Sequence, residues 1–187
     1  MKTAHWILFG MMVLAQLAVP LRMIGGQETI LREGAPYKFR CGPVDPYDFL
    51  RGRYVALSFP DMVIEDWQGP HFRAGEPAYA RLGVGEDGFA TVEDVTASPP
   101  VSGDYLKVSA YTSGTGSRLW IQLPFDKYFM NEHDAPAAEI AYREQSRTDD
   151  PAWVMVRVQQ GQGVIEGLYI GDVPIEEFIK RQAARTQ

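Results

Sequence analysis

The sequence has one cysteine, three histidines and fewer basic than acidic side chains, and each scarcity excludes a class of protein. Cys41 cannot form an internal disulfide, and no second thiol or histidine lies at a spacing typical of metal ligands. A formal net charge of -6 disfavours nucleic acid as a partner, because phosphate binding needs a clustered basic face. We therefore expect Cys41 to be a small buried apolar side chain and predict no nucleic-acid partner.

Catalytic motifs are equally scarce. No Gly-x-Ser-x-Gly elbow is present, and Gly114 and Gly116 lack the Walker lysine that a phosphate loop requires. His133 lies in the run Asn-Glu-His-Asp, whose residue types can bind a cation, but a solvated loop before a helix explains this run better. The sequence therefore predicts no catalytic residue, no metal site and no cofactor.

The N-terminal segment is strongly apolar. Residues 6–19 are uncharged and their apolar run is broken only by Gln16, and residues 6–24 approach the 20 or so residues that a spanning helix needs. A cleaved signal peptide has the same layout, and Val13, Leu14 and Ala15 offer a small-residue cleavage site. We favour an uncleaved anchor at residues 1–24, because cleavage there would leave an apolar start to the mature chain.

The orientation of this anchor follows from two opposing arguments. Lys2 alone precedes the apolar run, whereas Arg22, Arg32, Lys38 and Arg40 follow it, and this count alone would hold the C-terminal side inside the cell. Long domains are nonetheless exported despite such counts. We therefore expect the chain from Gln27 onward to lie outside the cytoplasm.

Residues 25–187 read as a single β-rich domain with many turns. The predicted fold class is mainly β, with antiparallel sheets in a sandwich- or barrel-like arrangement, two short helices and one preceding N-terminal membrane helix. Residues 28–33 and 37–41 are predicted to form a hairpin across Gly34, and residues 61–76 a surface loop. The other predicted strands are residues 54–59, 77–83, 89–95, 105–112, 118–123, 153–159 and 164–170.

Two helices are predicted near the C-terminus. The first covers residues 136–147, with Asp134 as its cap and Ile140 as its main apolar contact. The second is capped by Asp172 and carries Ile175, Phe178 and Ile179 as an apolar stripe at helical spacing. This stripe is expected to pack on the β domain.

The most distinctive stretch is residues 43–59. Pro43 and Pro46 restrict the backbone, and Asp45 fits either an Asx-turn or the cap of a helical turn over residues 46–50. Gly52 then supplies backbone freedom ahead of an alternating strand that begins at Tyr54. Val55, Leu57 and Phe59 share one face of that strand.

This stretch resembles the GDYXXLXY family of bacterial proteins. Gly52, Tyr54 and Leu57 match the naming motif, whereas Arg53 replaces its aspartate and Phe59 its final tyrosine. The charge reversal at Arg53 implies that any role of the aspartate is lost or inverted here. The residues that carry the resemblance or are candidates for an interaction are Pro43, Val44, Asp45, Pro46, Arg51, Gly52, Arg53, Tyr54, Leu57 and Phe59.

The resemblance implies a non-enzymatic domain tethered to the bacterial inner membrane by a single helix, with residues 25–187 in the periplasm. It also implies a polytopic membrane protein as the partner. The alternative is an anchored hydrolase, since the layout is loosely similar to membrane signal peptidases. Those enzymes need a serine just after the anchor and a lysine base, and neither Lys38 nor Lys107 has a matching serine at that place.

Overall fold

The computed structural model describes residues 2–43, 54–60, 62–113, 118–145 and 152–185. Within these residues the chain forms three helices and eleven strands. The helices are α1 (Lys2–Glu33), α2 (Ala135–Gln145) and α3 (Ile175–Arg185). The strands are β1 (Ala35–Arg40), β2 (Tyr54–Ala56), β3 (Val63–Glu65), β4 (Glu76–Val84), β5 (Ala90–Thr96), β6 (Tyr105–Thr112), β7 (Arg118–Gln122), β8 (Lys127–Phe129), β9 (Ala152–Gln159), β10 (Gln162–Ile170) and β11 (Val173–Pro174).

The strands form three antiparallel sheets that share one apolar core. A five-stranded sheet has the order β3-β7-β6-β4-β5, a four-stranded sheet has the order β1-β9-β10-β11, and β2 and β8 form a two-stranded sheet. A parallel bridge between Leu106 and Gly161 joins the two larger sheets. An antiparallel bridge between Gly42 and Ser58 joins the segments that follow β1 and β2. The predicted fold class, mainly antiparallel β with two short helices after an N-terminal helix, is confirmed.

The predicted strand at residues 28–33 is wrong, because α1 continues without interruption to Glu33. Extending a formed helix costs less free energy than nucleating a new element, and Arg32 pairs with Glu28 one turn earlier at 2.8 Å. Ile30 is buried against the domain, where α1 contacts β9 and β10. The predicted hairpin is therefore replaced by a helix that ends at Gly34 and leads directly into β1.

The strands predicted in the middle and at the end of the chain are confirmed, and consecutive ones pair as antiparallel hairpins. Strands β4 and β5 are joined by a turn in which the Gly85 N–H donates to the Phe89 carbonyl and Gly88 has a φ of 78°. Only glycine adopts that conformation without steric cost. The pairs β6–β7 and β9–β10 are likewise antiparallel. The predicted loop at residues 61–76 is wrong in one part, since Val63–Glu65 forms an edge strand on β7.

Helix α2 packs through a different face from the one predicted. Ile140 is 49% exposed, whereas the buried side chains are Ala135, Ala138, Ala141 and Tyr142. Residues three and four positions apart lie on one side of a helix, so these four form a stripe and Ile140 falls outside it. The small alanines let α2 lie close to β2, and Tyr142 reaches into the core. The stripe on α3 is confirmed, with Ile175 and Ile179 buried.

Helix α1 is long and apolar enough to cross a membrane. Its large apolar side chains between Trp6 and Ile24 are exposed, because only the last turns of the helix touch the β domain. In water, such a surface would cost about 25 cal/mol per Å² of apolar area. The helix is therefore consistent with membrane anchoring.

Candidate interaction surface

The described part of the distinctive stretch divides into a buried half and an exposed half. Pro43 is exposed, and Tyr54 is half-buried at the start of β2. Leu57 is buried, and Phe59 packs against the core. Asp45, Pro46, Arg51, Gly52 and Arg53, which the sequence marks as interaction candidates, lie outside the described residues, as does the turn predicted at 46–50.

The buried half belongs to an aromatic cluster. The rings of Phe39 and Phe59 meet edge to face at 6.2 Å, and Phe125 lies 5.5 Å from Phe39 and 5.6 Å from Phe59. Edge-to-face contacts align the positive edge of one ring with the negative face of another. Phe59 therefore stabilises the fold with its ring alone, which explains why phenylalanine fits where the family motif has tyrosine.

The hydroxyl of Tyr142 connects α2 to both ends of the distinctive stretch. It donates to the Gly42 carbonyl at 2.6 Å and accepts a longer bond from the Ser58 N–H at 3.4 Å. Gly42 also donates its N–H to the Ser58 carbonyl at 2.8 Å. A side chain at Gly42 would meet the Pro60 ring at 2.9 Å, so only glycine fits there. Tyr142 thus holds the ends of this stretch together.

Replacing Tyr142 with phenylalanine is expected to lower the free energy of unfolding by about 1–3 kcal/mol, because the buried Gly42 carbonyl loses its donor. Urea unfolding of the full-length protein in mild detergent, followed by far-UV circular dichroism, measures this change. The matched control is Tyr79→Phe, a half-buried tyrosine on β4, for which a change of about 0.5 kcal/mol or less is expected. Equal stability of wild type and Tyr142→Phe would contradict the assigned role.

Cys41 lies beside this tyrosine and is buried, as the sequence predicts. Burial raises the pKa of its thiol from 9.0 to about 12, because the interior disfavours the charged thiolate. Burial raises the pKa of the Tyr142 hydroxyl as well. Since the thiolate is the reactive form of cysteine, Cys41 is a packing residue at neutral pH.

The exposed half forms a small patch on the two-stranded sheet. Tyr54 lies directly opposite Phe129 across the β2–β8 ladder, with the two rings 5.6 Å apart. The Lys127 ammonium lies 5.5 Å from the Tyr54 ring centroid, within the range of a cation–π interaction. Phe129 is 70% exposed. We name Tyr54, Lys127 and Phe129 the Tyr54 surface.

A partly buried hydrogen bond on the opposite face of β8 fixes the position of this surface. The Tyr128 hydroxyl donates to the Glu176 carboxylate of α3 at 2.6 Å. Burial, and then this bond to a carboxylate, raise the pKa of the tyrosine. Because Tyr128 lies between Lys127 and Phe129, the bond holds both neighbours in place on the exposed side.

Sequence reasoning found Tyr54 but did not identify its neighbours as part of a surface. Nothing in the linear order of the chain pairs residues 127–129 with Tyr54. Tyr142 was missed because Ile140 is the largest aliphatic side chain of its helix. The spacing of Ala135, Ala138 and Tyr142 was the available signal for the buried face.

Within the described residues, no group of three or more histidine, cysteine, aspartate or glutamate side chains could hold a metal ion.

The sequence model of the family described as "GDYXXLXY protein" matches residues 16–168. The chain belongs to the GDYXXLXY family. The match covers most of the chain and includes the end of α1, the Tyr54 surface and β9, while α3 lies beyond it. Neither a curated protein nor a solved structure gives a significant match.

Proposed function

We propose that this GDYXXLXY protein is a single-pass protein of the bacterial inner membrane whose β domain lies in the periplasm and binds a polytopic membrane protein. The observation that carries the proposal is the exposed apolar surface of α1 joined directly to the β domain. Lipid covers such a helix at no cost, and about 20 of its residues span the 30 Å or so of a hydrocarbon core.

The junction between helix and domain supports a partner within the same membrane. Ile30 is buried, and the Gly34 N–H donates to its carbonyl at 2.8 Å, so the helix and β1 meet without a linker. The Arg157 guanidinium, paired with Glu166 at 2.6 Å, also reaches the Gly34 carbonyl at 3.4 Å. The segment from Gly25 to Glu33 rises about 13 Å at 1.5 Å per residue. The domain is thereby held close to the membrane surface.

The Tyr54 surface is the contact that we assign to this partner. An exposed phenylalanine beside a tyrosine and a lysine combines apolar area with a positive charge, which suits a loop carrying an apolar and an acidic side chain. Asp45, Pro46, Arg51, Gly52 and Arg53 precede β2 in the chain, and the sequence makes them candidates for the same contact.

The expected result is that full-length protein purified from mild-detergent membranes carries a stoichiometric polytopic protein. Phe129→Asp is expected to reduce its recovery at least tenfold, because a carboxylate would replace the apolar centre of the contact. Its melting temperature should stay close to that of the wild type, since Phe129 is exposed.

Val101→Asp is the matched control, because Val101 is a fully exposed apolar residue outside the Tyr54 surface. It is expected to recover the partner at the wild-type level. Recovery of no membrane protein by the wild type, or equal recovery by both variants, would contradict the proposal. A C-terminal alkaline phosphatase fusion tests the orientation separately, because that enzyme is active only when it is exported.

One observation bears on the hydrolase alternative. Lys107 and Ser109 both line a cavity of about 320 Å³ on the five-stranded sheet. A lysine that serves as a general base is usually buried, because burial favours its uncharged form. The Lys107 side chain is instead exposed to solvent. Labelling of the wild type by a fluorophosphonate, with loss of labelling in Ser109→Ala, would favour this alternative over the binding function.

A further inference from the structure

The outer face of the five-stranded sheet carries a row of side chains that the proposed partner contact does not use. On β6, Leu106, Val108 and Ala110 are buried, so the alternate residues between and after them point to the opposite face. On β7, Leu119 and Ile121 are buried in the same way. The residues on the outer face of these two strands are Tyr105, Lys107, Ser109, Tyr111, Arg118, Trp120 and Gln122.

Two of these residues form an exposed aromatic platform. Tyr111 and Trp120 are direct partners across the ladder, with ring planes inclined by 3° and centroids 5.9 Å apart. Tyr111 is 41% exposed and Trp120 is 36% exposed. The Arg118 guanidinium lies 5.8 Å from the Trp120 ring centroid and is paired with Glu65 at 2.8 Å. This ion pair helps to hold the indole parallel to the tyrosine.

The platform borders a groove that is lined by both apolar and polar residues. A cavity of about 180 Å³ is lined by both rings together with Ser109 and Gln122. The neighbouring cavity of about 320 Å³ shares Ser109 and Gln122 and reaches Lys107. The two cavities therefore form one path along β6 and β7. It has aromatic rings at one end, a hydroxyl and an amide in the middle, and an ammonium group at the other.

We propose that this groove binds an oligosaccharide of carboxylated hexopyranose units. A pyranose ring presents apolar C–H faces that stack on aromatic rings, and a rim of hydroxyls that hydrogen-bond to a serine hydroxyl and a glutamine amide. A carboxylate on a neighbouring unit pairs with Lys107, which makes no ion pair within the described part of the chain.

An apolar protein surface fits this groove less well. It would bury Ser109 and Gln122 without hydrogen-bond partners, at a cost of about 1–3 kcal/mol for each group. The groove lies on a different sheet from the Tyr54 surface, so the saccharide site stands independently of the proposed membrane partner.

The test is isothermal titration calorimetry on the full-length protein, in a detergent whose headgroup contains no sugar. The probes are hexamers of β-1,4-linked mannuronate and of β-1,4-linked mannose, which differ in their carboxylates. The wild type is expected to bind the mannuronate hexamer more tightly than the mannose hexamer. Trp120→Ala should weaken binding of both about tenfold, because one ring of the platform is lost.

Lys107→Ala should weaken binding of the mannuronate hexamer alone and bring its affinity to that of the mannose hexamer. Val101→Ala, at an exposed apolar residue that lines neither cavity, is the control and should bind both probes as the wild type does. Binding of neither hexamer by the wild type would overturn the proposal. Wild-type affinity in Trp120→Ala, with its melting temperature unchanged, would also overturn it.

Discussion

Replacing Phe39 with alanine is expected to lower the free energy of unfolding by about 3–5 kcal/mol, the usual cost of emptying a buried phenylalanine site. Phe39 is almost fully buried and contacts both other members of the aromatic cluster, Phe59 and Phe125. The substitution removes a ring from the centre of the core and also two edge-to-face contacts, each of which contributes about 0.5–1.5 kcal/mol beyond the buried area.

This prediction is checked by urea unfolding of the full-length protein in mild detergent, followed by circular dichroism. Phe129→Ala is the matched control, since it removes the same ring from an exposed position and should change the stability by about 0.5 kcal/mol or less. A similar loss in both variants would show that the cluster around Phe39 does not organise the core. Because Phe39 contacts Phe59, Phe39→Ala should also weaken partner recovery through the strand that carries Tyr54.

Alkaline pH is expected to lower the free energy of unfolding, because the buried thiol of Cys41 resists ionisation in the folded protein. The pKa of Cys41 is raised by burial to about 12 in the folded protein, from 9.0 when exposed. Because the folded state disfavours the thiolate, the stabilising contribution is complete below pH 9 and decreases as the pH rises toward 12. The loss is about 1.4 kcal/mol per pH unit and reaches about 4 kcal/mol. Tyr142, whose pKa is also raised by burial, adds a further loss at higher pH.

The measurement is the free energy of unfolding at half-unit steps from pH 7 to pH 11. Cys41→Ala is the control, since it removes the buried thiol and leaves Tyr142 in place. Its stability should be lower at neutral pH through lost packing, and it should decline less steeply above pH 9 than that of the wild type. Parallel curves for the two proteins would mean that Cys41 does not titrate with unfolding.

Local chemistry made most strands predictable. Buried and more exposed positions alternate along β6 and over the middle of β4 and the second half of β9, because one face of each strand is buried. Gly88 marks the β4–β5 turn, since glycine tolerates positive φ. The apolar run of α1 was equally clear. The C-terminal end of α1 was not predictable, because residues 28–33 contain one large buried side chain, Ile30, which fits a helix face as well as a strand face.

The candidate sites depend on pairings that linear order does not contain. Tyr54 and Phe129 are far apart in the chain and become neighbours only through the β2–β8 ladder. Tyr111 and Trp120 likewise meet through the register of β6 and β7. The alternation of Trp120 with Leu119 and Ile121 indicated that Trp120 is exposed, but it did not indicate that the ring of Tyr111 lies parallel to it.

The amino-acid sequence by itself determined the family, the apolar N-terminal helix and a β-rich domain, because motif residues, long apolar runs and period-two alternation are local properties. Only the tertiary structure decided that α1 joins β1 without a linker, that Tyr142 closes the ends of the distinctive stretch, and which aromatic rings share a surface. The physical reason is that these features arise from packing and strand register, which bring together residues that no short segment of the chain contains.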